Sequence, residues 1–104
     1  MLKWYEHLYV GENAKKRINY YIRRISNGKP VNDIYLVTIA SNESNQLDII
    51  KSYYLLQPIV KKMCPMIVGI AKGYEEARML VISMVEETLA VTGDADVRNY
   101  LMQR

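Results

Sequence analysis

A single cysteine, a single histidine and no phenylalanine leave this chain with few of the groups that carry chemistry in small proteins. One thiol, Cys64, excludes an internal disulfide and suits a reducing compartment, so the expected location is cytoplasmic. Cys64 and His7 together supply too few ligands for a thiolate–imidazole zinc site, and no metal or cofactor is expected. Neither lies in a context that favours nucleophilic catalysis. Cys64, between Met63 and Pro65, has the setting of a small apolar core residue, and His7 sits between Glu6 and Leu8. The carboxylate pairs Glu75–Glu76 and Glu86–Glu87 fall on a helical stretch, where adjacent residues point about 100° apart and form no dyad. Apolar runs are short and broken by charge, far below the ~20 residues a membrane span needs. The start of the chain shows no apolar stretch followed by small residues, so no signal peptide is expected. Neither a phosphate loop nor GxGxxG follows a strand; GIAKG has the wrong spacing for both.

What is present describes a globular domain. Half of the 104 residues are apolar and 24% are charged, which is ordinary folded composition and enough for one domain spanning residues 1–104. The net charge of +3 conceals a division. Residues 1–32 hold seven Lys or Arg against Glu6 and Glu12, a balance of +5; the remainder carries −2. The aromatic content is skewed to nine tyrosines, side chains with an apolar body and a wet tip that suit half-buried positions and interfaces.

Hydrophobic periodicity places most elements. From Glu12 to Asn27, Ala14, Ile18, Tyr21 or Ile22, and Ile25 recur at helical spacing, and Asn27–Gly28 followed by Lys29–Pro30 stops that helix. Ile34–Ala40 and Met66–Ala71 are apolar almost throughout, as strands covered on both faces are. Leu47–Leu56 has Leu47, Ile50 and Tyr54 at helical spacing and is expected to be a helix, with Pro58 opening a further short one through Met63. A long helix follows Gly73 and ends at Gly93, and Asp94 or Asp96 starts a last short helix, VRNYLMQ. Residues 1–10 fit either a helical turn or an extended edge segment. Gly69, inside a strand, points to close approach of a helix. Strand, helix, strand, helix implies an α/β fold: a small, mainly parallel sheet built on a βαβα unit, with a basic N-terminal helix and a short C-terminal helix. Two strands make a poor sheet by themselves, which favours a third from residues 4–10 or a homodimer that shares one.

Three surfaces are candidates for function. In a parallel sheet both outgoing corners gather at the carboxyl ends of the strands, so Ser41, Asn42, Ser44 and Asn45 would meet Lys72 and Gly73 there and suit a small anion or nucleotide. The same Asn and Ser residues also serve as turn formers and caps. The basic helix carries Lys15, Lys16, Arg17, Arg23 and Arg24 with Tyr20 and Tyr21 interleaved, a pattern able to neutralise phosphates; a solvated helix face has the same look, and nucleic acid is the less favoured partner. The last long helix is apolar over more than one face, leaving Met79, Ile82 and Leu89 for a second surface.

The strings LYVGE, SNxxNxLDII, GIAKGYEEA and TGDADVRNYL resemble a group of short, uncharacterised bacterial α/β proteins. The resemblance covers most of the chain, implies a free-standing small protein and carries no activity with it. The expectation is a non-enzymatic interaction protein that forms a homodimer or docks to another protein through its last long helix, without a membrane.

Overall fold

Two segments with no wet side form the centre of the molecule. In Ile34–Ile39 (β2) and Ile67–Lys72 (β4), Leu36, Val37, Ile67, Val68, Ile70 and Ala71 have no exposed surface at all. Such strands need a cover on each face. The computed structural model of the chain, which describes residues 1–29, 31–42 and 45–104, provides both. In chain order, Trp4–Val10 (β1) leads through a 3-10 turn, Lys15–Arg17, into Ile18–Ser26 (α1) and β2. Leu47–Lys51 (β3), a second 3-10 turn, Ser52–Leu56, and Pro58–Met63 (α2) precede β4, after which come Tyr74–Thr92 (α3) and Val97–Gln103 (α4). Among the described residues the strands form one four-stranded sheet in the order β1-β4-β2-β3.

The sheet is mixed, not mainly parallel. β1 runs parallel to β4, but β2 is antiparallel to both β4 and β3. The correction traces to residues 47–56, which form β3 and a 3-10 turn instead of a helix. A hairpin strand between β2 and β4 returns the chain, so β4 enters against β2 rather than alongside it. The helical spacing of Leu47, Ile50 and Tyr54 misleads because β3 is half-buried on both sides: Leu47 and Ile49 face one core, Ile50 the other. The segment left open at the start of the chain is a strand, with Trp4, Leu8 and Val10 toward one core and Tyr5 and Tyr9 toward the other. The sheet is therefore completed within one chain, and a partner strand is not needed to make it.

The helices form the two covers. Tyr21 and Ile25 of α1, Leu55 of the second 3-10 turn and Val60 of α2 pack with Ile34, Leu36, Ile67 and Ile70. Met84 of α3 with Val97 and Leu101 of α4 pack with Val37 and Val68 on the opposite face. α3 lies close because Gly69 has no side chain; a Cβ there would stand 3.1 Å from Leu80 Cδ2 and 3.2 Å from Val37 Cβ. Helix ends follow local chemistry. α1 stops where Gly28 takes φ 74°, with its N–H donating to the Ile25 carbonyl and that of Lys29 to Arg24. Asp96 starts α4 by accepting from the Asn99 N–H at 3.1 Å. No helix among the described residues is long and apolar enough to cross a membrane.

α4 is fastened to the sheet by a polar cluster. Tyr5 Oη donates to the Leu101 carbonyl (2.8 Å), Tyr9 and Tyr100 both donate to Glu87 Oε2 (2.5 and 2.8 Å), and Arg104 Nη1 donates to Tyr9 Oη (2.7 Å). The Tyr9 hydrogen bond, then that of Tyr100 and the Arg104 charge, hold the Glu87 carboxyl below its ordinary range. Burial, reinforced by Glu87, pushes the Tyr9 phenol well above its own. The Glu87 contribution to stability is thus present above the ordinary carboxylate pKa and lost as pH falls through the lowered value. The Tyr9 contribution is present below the ordinary phenol pKa and lost as pH rises through the raised one. On acidification from about pH 5 to about pH 3, the thermal midpoint of the wild type should fall more steeply than that of Glu87→Gln. Parallel curves in a calorimetric pH series would remove the cluster from the stability of the fold.

Candidate functional site

The antiparallel setting of β2 and β4 separates the two corners expected to share a rim. Ile34 pairs with Lys72 at one end of the ladder, and the Ile39 N–H bonds to the Met66 carbonyl at the other. Lys72 and Gly73 therefore sit at one end of the sheet, and Ser41, Asn42 and Asn45 at the opposite end. Ser44 lies outside the described residues. At the far corner Asn42 Oδ1 accepts from the Asn45 N–H at 3.0 Å, and Arg98 Nη2 of α4 donates to the Ala40 carbonyl at 2.6 Å. Among the described residues no common anion rim is formed.

A different crevice occupies the carboxyl ends of the parallel pair. β1 leads to α1 on one face and β4 leads to α3 on the other, the switch point at which open α/β sheets hold ligands. A cavity of about 450 Å3 opens there between Glu12, Asn13, Lys16, Asp33 and Lys72. Its backbone donors are already taken. Glu76, in the first turn of α3, accepts from the Asn13 N–H (2.8 Å) and the Lys72 N–H (2.7 Å), one with each carboxylate oxygen. The Gly73 N–H donates to the Asp33 carbonyl at 2.7 Å, and Asp33 holds φ 64°. Gly11 is the residue that admits this carboxylate, since a Cβ there would overlap it. An internal anion thus stands where a phosphate would bind, and Lys16 and Lys72 are matched in number by Glu12 and Asp33. The crevice is not built for an anion.

The other chemical groups stay apart. His7 lies on β1, edge to face with the Tyr5 ring, while Cys64 lines an apolar groove of about 400 Å3 with Ile50, Val60 and Met63 beside the opposite edge strand. Burial pushes the Cys64 thiol up, away from the thiolate. Among the described residues no group of three or more His, Cys, Asp or Glu side chains could hold a metal ion.

The cover formed by α1 and α2 has a distinct character. Residues 13–32 hold Lys15, Lys16, Arg17, Arg23, Arg24 and Lys29, residues 52–66 hold Lys61 and Lys62, and neither segment contains an acidic residue. Both pack on the same core, so eight cationic side chains share one layer. Lys61 Nζ lies beside the carboxyl end of α1, 3.5 Å from where a Gly28 Cβ would stand. The opposite cover, residues 73–104, holds six acidic side chains against Arg78, Arg98 and Arg104. Within the basic layer Lys15 pairs with Glu12 (2.8 Å), an exposed bond of small energetic weight that holds the Glu12 carboxyl below its ordinary range. The Arg17 guanidinium lies 4.1 Å from the centre of the Tyr20 ring and that of Arg24 5.9 Å. Lys61 and Lys62 escape a reading confined to the N-terminal third. Their signal is a second acid-free stretch, residues 49–74.

On the opposite cover, Met79, Ile82 and Leu89 lie on the outer side of α3 with 52%, 39% and 46% of their surface exposed, interspersed with Glu75, Arg78 and Glu86. Comparison with protein-family models, curated proteins and solved structures finds no match to this chain.

If Glu76 is the ligand of its own crevice, Gly11→Ala should cost about 1–2 kcal/mol by displacing the carboxylate and its two hydrogen bonds. In a Glu76→Ala background the same change should cost almost nothing. A double-mutant cycle by urea denaturation reads the coupling, and equal costs in both backgrounds would show that Gly11 answers to something else.

Proposed function

We propose that this is a non-enzymatic nucleic-acid-binding protein that acts through the basic layer of α1 and α2. One observation carries the proposal: eight cationic side chains and no acidic one across the segments that cover one face of the sheet. Distributed positive charge binds a polyanion by releasing its counterions, whereas protein partners are held by a desolvated apolar centre with charge at its rim. Exposed Tyr53 and Tyr54, in the turn that precedes α2, add faces on which a base can stack. A cytoplasmic location, expected from the unpaired cysteine, belongs to the same proposal. Labelled mixed-sequence DNA or RNA should bind with an affinity that falls steeply with salt, with a log–log slope of about −4 to −5 for four to six neutralised phosphates. Arg23→Glu with Lys62→Glu should weaken binding more than tenfold at about 50 mM salt, while Glu86→Lys on the opposite cover does not weaken it. Absence of binding at about 20 mM salt, or equal retention by polyglutamate, ends the proposal.

Self-association is a second reading, favoured by the exposure of Met79, Ile82 and Leu89 on α3. Sedimentation equilibrium at micromolar concentration should then give a dimer, which Ile82→Glu with Leu89→Glu converts to a monomer of unchanged circular dichroism. A monomeric wild type rejects it.

A further inference from the structure

From the side chains that α1 leaves free, we infer that the partner of the basic layer is double-stranded DNA, with α1 lying in its major groove; this rests on the nucleic-acid reading above. Single strands are held by bases stacked on open aromatic faces. On α1 those faces are taken: Tyr21 is buried and Tyr20 is half-buried beneath two guanidinium groups, so the open rings of the layer, Tyr53 and Tyr54, lie off this helix, in the turn before α2. What α1 presents instead is a polar line. Lys16, Asn19 and Arg23 follow one another at intervals of three and four and are all exposed. Among the described residues the side chains of Asn19 and Arg23 have no partner within the chain. Next on the line, Ser26 accepts from the Trp4 indole N–H at 3.0 Å, which marks where the helix meets the body of the protein.

These residue types match base edges. Arginine bonds bidentately to guanine and asparagine to adenine in the major groove of B-form DNA, whose width of about 12 Å admits a helix. The A-form groove is too deep and narrow to be read in this way, which sets duplex RNA aside. Charge complementarity fixes the rest of the footprint. Arg17 lies at the start of the helix, beside the Lys15–Glu12 pair, and Lys29 and Lys61 lie beyond its end, so both ends of the inserted helix offer cations to phosphates. The turn and helix from Lys15 to Ser26 span about 20 Å, long enough to follow one groove face over several base pairs.

The test compares one sequence as duplex DNA, single-stranded DNA and duplex RNA at matched salt, then selects preferred sites from a random duplex DNA pool with the full chain. Duplex DNA should bind at least tenfold more tightly than the other two. Asn19→Ala and Arg23→Ala should each cost about five- to a hundredfold on the selected site and relax base preference at different positions. Lys62→Ala should leave the preference intact and reduce the salt slope by about 0.9. Equal or tighter binding to single strands or duplex RNA overturns the inference while leaving the nucleic-acid proposal standing, as does a base preference unaffected by Asn19→Ala and Arg23→Ala. Failure of all three nucleic acids to bind at low salt removes both.

Discussion

The ladder between β2 and β4 is the constraint on which the molecule depends. It joins the two most deeply buried segments, from Ile34 opposite Lys72 to Thr38 opposite Ile67, and it runs antiparallel. Its direction decides which loops share an end: the corners after β1 and β4 go together, and the β2–β3 turn goes to the other side. Its burial decides the layering, because neither face of the ladder tolerates water. Two helical covers are obligatory, and their outer surfaces offer large areas for interaction.

Local sequence revealed what depends on local period. α1, β2, β4, α3 and α4 are readable because each has one dominant apolar pattern and a recognisable stop, such as Gly28, Gly93 or Asp96. β3 is not, since a five-residue strand with four half-covered residues, facing two sides, has the apolar density of a helical turn. That single error propagates. Strand direction is a property of the whole connection, so taking Leu47–Leu56 for a helix makes β4 parallel to β2 and gathers Ser41, Asn42 and Asn45 around Lys72 and Gly73. The basic helix was legible in part: Arg23 and Arg24 lie on α1, whereas Lys15, Lys16 and Arg17 form the 3-10 turn before it rather than the first turn of a helix begun at Glu12. The rest of the basic layer was not, because Lys61 and Lys62 join it only through the return of the chain across the same face. The expected role of Gly69, by contrast, needed only a glycine inside a buried strand and is met by Leu80.

The crevice beside β1 and β4 shows how a ligand-binding geometry is neutralised. Doubly wound folds leave helix N-termini and loop N–H groups open at this point for phosphate. Here the first turn of α3 supplies its own carboxylate, and Gly11 gives it room. Two loops that would otherwise move independently are tied by one side chain. The position serves cohesion of the fold.

Opposite signs on the two covers have a consequence at distances where no contact exists. The sheet holds a cationic slab and an anionic one apart within a body of 39 × 29 × 22 Å. In the field of a strongly anionic surface such a body feels a torque as well as a pull, so it rotates before it touches and arrives basic side first. At physiological ionic strength this alignment acts over roughly one screening length, about 8 Å. Residues on α3 and α4 would thereby help set the rate at which the basic cover meets such a surface.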